Sequence, residues 1–157
     1  MNKDKKMKYA IGVDLGGTFV KVVLVSDTGD ILFENKLPTG GEVPKDTILN
    51  TIREVIQTAM DKAKDEQIDI LGIGIGTPGI VYDGIILGAA ENLKDWENID
   101  LSSYFYDVFN LPILVDNDAN VMGLGEVVYG AAKGCTDVIF LTVGTGVGGA
   151  LVINGEL

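Results

Sequence analysis

The run Ile11-Gly-Val-Asp-Leu-Gly-Gly-Thr-Phe-Val-Lys21, continued at once by Val22-Val-Leu-Val25, admits few folds. Two β-rich halves joined by so short a glycine turn read as a hairpin. Its tip gathers Asp14, Gly16, Gly17 and Thr18. Glycines take positive φ at little steric cost, which lets successive N–H groups converge into an anion-binding concavity. Thr18 adds a hydroxyl donor, and Asp14 stands where it can hold magnesium through water. The expectation is a phosphate grip. An ordinary tight turn with a solvated aspartate has the same local pattern, and the rest of the chain decides between them.

The chain's 157 residues amount to about one domain, able to bury roughly 68–70% of the unfolded surface. Glycine is abundant, at 21 residues, and most of it clusters at strand ends, where site glycines stand and linker glycines do not. The net charge of −11 argues against a nucleic-acid or anionic-membrane surface, since binding a polyanion needs a basic footprint. Lys3, Lys5, Lys6 and Lys8 form a short solvated leader with no apolar run behind it, so no signal peptide and no membrane span are expected. Cys135 is the single cysteine, which excludes an internal disulfide and suits a reducing cytosol. The absence of histidine removes Ser-His-Asp triads and His-ligated zinc from this chain.

Downstream of the hairpin, Asp27–Asp30 is a turn and Ile31–Leu37 a third strand, completing a meander. Pro44 suits the first turn of a helix, and Ile48, Ile52, Val55, Ile56, Ala59, Met60 and Ala63 recur at helical spacing to about Lys64. That helix is core packing with a charged back. Ile68–Ile75 reads as a strand buried on both faces. Ile80–Leu87 is a short hairpin around Asp83-Gly84, Ala89–Trp96 a loop, and Leu101–Phe109 a helix capped by Ser102 or Ser103. Pro112–Val115 is a strand, and a helical pattern follows from Ala119 to about Ala132, with Gly123 and Gly125 suggesting close packing. Asp137–Val143 is a strand, Gly144–Gly149 turns it, Ala150–Ile153 returns, and Asn154-Gly155 signals another turn. The second glycine-tipped hairpin echoes the first, which suggests a duplicated, two-lobed architecture with a phosphate between the lobes.

Gly74/Gly76/Gly79 and Gly144/Gly146/Gly149 both satisfy the dinucleotide pattern G-x-G-x-x-G. That fingerprint works only when a helix follows, its N-terminus facing the pyrophosphate. Both segments run into more strand, so neither is assigned to a dinucleotide. Val115-Asp-Asn-Asp-Ala-Asn120 places carboxylates at a strand-to-helix junction, at the mouth of a sheet. Asp118 there is either a helix cap or a catalytic base, with Asn117 beside it for ligand hydroxyls. A carboxylate near a helix N-terminus stays ionised at neutral pH and is a weak base. It suits accepting an alcohol proton late, after phosphoryl transfer has begun.

Asp14-Leu-Gly-Gly-Thr-Phe-Val-Lys21, Gly74-Ile-Gly-Thr-Pro-Gly79, Glu91-Asn-Leu-Lys-Asp-Trp96, Asp116-Asn-Asp-Ala-Asn120 and Gly144-Thr-Gly-Val-Gly-Gly149 occur in register from Tyr9 onward. This set resembles the ROK family of sugar kinases and sugar-responsive repressors, within the actin/hexokinase-like ATPase superfamily. The resemblance implies an α/β fold. A ribonuclease H-like, actin-like lobe with a mixed five-stranded sheet would cover residues 1–115, and the truncated start of a second similar lobe residues 116–157. It implies that Asp14 helps hold Mg2+, that Gly16, Gly17, Thr18 and Lys21 form the first phosphate loop for ATP, and that Thr145 and Gly146 lie on the second. Gly79, Asn92 and Asn117 would contact the sugar, and Asp118 would take the sugar hydroxyl's proton.

Lys21 also reads as a solvated strand residue, Asn92 as a loop stabiliser, and Trp96 as packing more than sugar stacking. Ala150 stands where the family often has another glycine. Family members are longer, with a Glu-x-x-His sugar segment, a structural zinc site and an adenosine pocket that these residues lack. The expected activity is therefore ATP-dependent hexose phosphorylation by the complete cytoplasmic protein, a homo-oligomer, with residues 1–157 alone showing little or none. Glucose is the first expectation for the sugar, with N-acetylmannosamine, mannose, fructose and allose as alternatives. A sugar-sensing repressor is the other reading, disfavoured because only Met1–Lys8 precedes the first hairpin.

Overall fold

The computed structural model describes residues 7–90, 92–143 and 147–157. Lys3, Lys5 and Lys6 of the leader, Glu91, and Gly144, Thr145 and Gly146 of the second glycine tip lie outside the described residues. Strands Tyr9–Leu15 (β1), Phe19–Ser26 (β2) and Ile31–Pro38 (β3) form the expected antiparallel meander. The strand period of two sends Ile11, Val13, Leu15, Val20, Val22 and Leu24 to one buried face. Helix Lys45–Asp65 (α1) lies on that face through Ile48, Ile52, Val55, Ile56, Ala59 and Ala63, whose 3.6-residue spacing makes one apolar stripe. Pro44 precedes this helix as its N-cap residue and does not enter the first turn.

Strand Ile70–Thr77 (β4) joins β1 in parallel, and Ile113–Asn117 (β8) joins β4 in parallel on its far side. The order β3-β2-β1-β4-β8 is the mixed five-stranded sheet that the sequence led us to expect. One expectation fails within it. Up to Ile75, β4 is buried on one face only: Ile73 and Ile75 enter the core, while Leu71 is 55% exposed. Gly72 and Gly74 alternate with the buried isoleucines on the same strand, so the hydrophobic run carries no second row of bulky side chains to bury. On this outer face a trough of about 980 Å³ opens, floored by Gly12, Val23, Gly74 and Leu114.

Between β4 and β8 the chain makes a small sheet from Ile80–Tyr82 (β5), Ile85–Gly88 (β6) and Ile99–Asp100 (β7). Asp83 (φ 49°) and Gly84 (φ 77°) turn the first pair in left-handed conformations, as the Asp-Gly dipeptide promised. β7 is too short to show a period. Helix Leu101–Phe109 (α2) follows, and its cap differs from expectation. Asp100, not Ser102 or Ser103, closes the N-terminus, accepting the Ser103 N–H at 2.9 Å and the Ser103 hydroxyl at 2.8 Å. The serine is the cap's donor.

Helix Asp118–Val128 (α3) packs on the hairpin of Val138–Val143 (β9) and Val147–Val152 (β10). Gly123 is the close-packing glycine: a Cβ there would stand 2.9 Å from the Phe140 ring and 3.1 Å from Ala150. Gly125 faces open space. The helix stops short of Ala132 because the Glu126 carboxylate folds over its end and accepts the Ala131 N–H at 2.7 Å. Asn154 (φ 54°) and Gly155 (φ 81°) make the expected final turn.

Candidate active site

Parallel strands deliver their C-terminal ends to one edge of a sheet, where α/β proteins place ligands. Here the register aligns Asp14 of β1 with Gly76 of β4, and Gly76 with Asp116 of β8. The loops that leave these strands therefore emerge side by side. They carry Gly16–Thr18, Pro78–Gly79 and Asn117–Asp118. These are the segments singled out from the sequence, apart from the loop with Asn92 and the undescribed Thr145 and Gly146.

The first loop is tighter than its glycines require. The Gly16 N–H donates to Phe19 O at 3.0 Å, closing the turn. Neither Gly16 nor Gly17 adopts the positive φ expected of them. Gly16 serves closeness instead, and Gly17 has ordinary room beside it. A Cβ on Gly16 would stand 3.2 Å from Phe19 O, and one on Gly17 would stand 3.7 Å from the Asn92 Cβ. Asn92 is thereby set against the tip. Gly17 and Thr18 are exposed, and no described partner takes their N–H groups.

Lys21 lies opposite Asp14 in the β1–β2 register, and its Nζ donates to Asp14 Oδ2 at 3.0 Å. Both side chains are more than half exposed. Magnesium favours hard oxygen ligands, and commonly one or two carboxylates together with substrate phosphates. Asp14 suits that kind of binding. Among the described residues no group of three acidic, histidine or cysteine side chains is placed to form an all-protein cage, for magnesium or zinc.

The sugar-side candidates form one connected unit. Asn117 caps α3, its Oδ1 accepting the Ala119 N–H at 3.0 Å, while its Nδ2 donates to Gly79 O at 2.9 Å. Gly79 stands at φ 100°, and a Cβ there would collide with Gly88 O at 2.5 Å. The preceding residue pair is anchored from beneath: the buried Trp96 indole Nε1 donates to the buried Thr77 hydroxyl at 2.8 Å. Trp96 is 2% exposed and is packing, as expected.

Asp118 occupies the first turn of α3, with Oδ1 accepting the Ala119 N–H at 2.9 Å and Oδ2 unpartnered among the described residues. Asp116, left without a role in the sequence reading, braces the junction by accepting the Asn117 N–H at 2.6 Å and the Asn120 side-chain amide at 3.0 Å. The Asp-Asn-Asp-Ala-Asn run contained that signal, because an acid just ahead of a helix start can accept from groups in its first turn.

The ROK family model matches residues 10–157. The chain belongs to the ROK family. Its relatives include a glucokinase of Halalkalibacterium halodurans, 32% identical over 96% of this chain and 46% of that protein. They include equally a xylose repressor of Caldicellulosiruptor bescii, 36% identical over the whole chain and 39% of that protein. Among solved structures, the ROK glucokinase of Streptomyces griseus, in complex with glucose and AMPPNP, superposes with a TM-score of 0.82. It is 35% identical, over 94% of this chain and 45% of that one. The ROK chain thus spans less than half the length of these relatives, and its sheet is that of the ROK kinase structures. No helix among the described residues is long and apolar enough to cross a membrane.

Proposed function

We propose that this ROK chain is the N-terminal part of an ATP-dependent sugar kinase that phosphorylates a hexose hydroxyl, with glucose the first substrate to test. The observation that carries the reading is Asp118 standing over Gly76, with Asp14 beside the same glycine in the sheet register. A carboxylate with a free oxygen and a glycine-tipped loop with free N–H donors then share one edge. The Gly17 and Thr18 donors, with the Thr18 hydroxyl, would receive phosphate oxygens. Lys21 pairs with the Asp14 carboxylate. Asn92 and the Gly79–Asn117 pair would shape the sugar's seat, and Asp118 Oδ2 would orient a sugar hydroxyl and accept its proton.

ATP with Mg2+, when bound, supplies the transferable phosphoryl group and neutralises charge that develops on it. Thr145 and Gly146 are proposed to complete the phosphate grip from a second lobe beginning at Asp116. The structure of a relative holding glucose and AMPPNP supports this choice of ligands. The working location is proposed as cytoplasmic, and the complete protein as a homo-oligomer.

A second reading has a specific observation behind it, the identity to xylose repressors. In that reading the same edge binds a sugar without phosphorylating it. A coupled ADP-release assay on the full-length protein with glucose, mannose, N-acetylmannosamine, fructose, allose and xylose distinguishes the two. Turnover with a hexose supports the kinase. Sugar binding without turnover, together with a shifted operator DNA band, replaces it with the repressor.

A further inference from the structure

We infer that Thr39 is a positioning residue for nucleotide phosphate, acting through the orientation of one peptide group in the Gly16–Thr18 tip. The inference rests on the kinase reading above. Thr39 follows β3, directly after Pro38, and is completely buried. Its hydroxyl donates to Gly16 O at 2.6 Å, and its N–H donates to Thr18 O at 2.9 Å. One side chain and its own backbone therefore grip two carbonyls of the tip from behind.

The consequence follows from peptide geometry. In a planar trans peptide the C=O and the next residue's N–H point in opposite directions. Drawing the Gly16 carbonyl toward the buried Thr39 turns the N–H of the exposed Gly17 away from it. Glycines on both sides of that peptide leave no Cβ to restrain its rotation. The Thr39 hydroxyl supplies the missing restraint. Without it the peptide can flip and present a carbonyl oxygen, which repels an anion, where a donor had been. Pre-set donors are the ones that add affinity for an anion, because their orientation is not lost freedom at binding.

Sequence alone offers little hint of this. Thr39 sits in Pro38-Thr-Gly-Gly41, a stretch that reads as a strand-breaking loop. Gly40 and Gly41, both at positive φ, carry the chain away immediately afterwards, so that Thr39 alone turns inward.

The test uses the full-length protein with Thr39→Val and Thr39→Ser. Calorimetric titration with AMPPNP, adenosine and glucose separates a phosphate effect from general damage. The expected result for Thr39→Val is AMPPNP affinity weakened about tenfold, with adenosine and glucose affinities within twofold of wild type. KM for ATP should rise while KM for glucose holds, and Thr39→Ser, which keeps the hydroxyl, should restore both. Unchanged AMPPNP affinity in Thr39→Val overturns the inference. So does a parallel loss of adenosine or glucose binding, or a serine variant as weak as the valine. Should the wild type bind no AMPPNP, the kinase reading fails separately. The Gly17 amide chemical shift then judges the clamp on the Gly16–Gly17 peptide: a changed shift in Thr39→Val with Thr39→Ser like wild type upholds it, and an unchanged shift removes it.

Discussion

Asp14 and Asp118 flank a single glycine. Asp14 pairs with Gly76 in the β1–β4 register, and a Cβ built on Gly76 would stand 3.5 Å from the Asp118 Cα and 3.6 Å from Val121. Asp14 points to the outer face of the sheet, since Val13 and Leu15 on either side of it are buried on the inner one. In-register residues of neighbouring strands point to the same face. The start of α3 is therefore laid over Gly76 on the face where the Asp14 carboxylate emerges. Within the proposed mechanism this glycine sets how near the acceptor aspartate comes to the phosphate loop.

Enlarging Gly76 tests that spacing. Alanine fits at ordinary contact distance, so Gly76→Ala should fold and keep most activity in the full-length protein. Gly76→Val adds two methyl groups toward Asp118 and Val121 and should move the start of α3. Turnover should fall by about 10²-fold, the scale of a roughly 1 Å misplacement of reacting groups. The environment of the buried Trp96, read by fluorescence, should stay as it is. Equal turnover for valine and wild type would separate Gly76 from the chemistry.

Asp118→Asn keeps an oxygen for the Ala119 N–H and so should leave α3 intact. It removes the proton acceptor. For the full-length protein, kcat should fall by about 10²–10⁴-fold, with KM for the sugar changed little. Steady-state kinetics with an ADP-coupled readout decide the matter. Near-normal kcat would return Asp118 to a role in the helix turn alone.

Gly79→Ala meets two obstacles at once, a φ of 100° and a collision with Gly88 O. The left-handed strain alone is of order 1–3 kcal/mol. Urea denaturation should show a clearly lowered midpoint, and sugar affinity should fall as well because Gly79 O holds Asn117. Unchanged stability would mean the turn relaxes freely, contrary to its tie to α3.

Thr77→Val is close in volume yet leaves the buried Trp96 N–H without an acceptor. An orphaned buried donor costs about 1–3 kcal/mol. The loss should appear in the urea midpoint, and Trp96→Phe in the same background should recover part of it by removing the donor. A double-mutant cycle measures this directly, and additive losses would dissolve the proposed coupling.

Asp100 is expected to make the stability of α2 acid-sensitive. Hydrogen bonds from the Ser103 backbone N–H, and then from its hydroxyl, hold this carboxyl below its ordinary value. A depressed folded value means stability that is present above the unfolded pKa of about 3.9 and lost as pH falls through the folded value. Asp100→Asn can still cap the helix but carries no titrating proton. Its Tm should therefore lose less than the parent's as pH falls below about 4, as followed by Trp96 fluorescence. Parallel Tm profiles for the two proteins would rule out this source of acid sensitivity.

The legible parts of this protein were those written in local pattern. The β1–β2 hairpin, the apolar stripe of α1 and the Asp83-Gly84 and Asn154-Gly155 turns each follow from residues within one short window. Strand β7 and the Asp100 cap were hidden because two residues show no period and because a serine beside an aspartate can act as donor or acceptor. The outer face of β4 was misjudged for a related reason. A run such as Ile-Leu-Gly-Ile-Gly-Ile looks buried throughout until Gly74 is seen to open into the trough.

Local backbone preference and side-chain periodicity, both properties of neighbours along the chain, determined the elements, and the motifs shared with the ROK family named the candidate site residues. Which of those residues meet is another matter. The parallel register that lines up Asp14, Gly76 and Asp116 joins strands far apart in sequence, and no short window carries it. Only the packed sheet decided that Asp118 would lie over Gly76 and that Thr39 would reach behind Gly16, because such contacts are fixed by register and burial acting across the whole lobe.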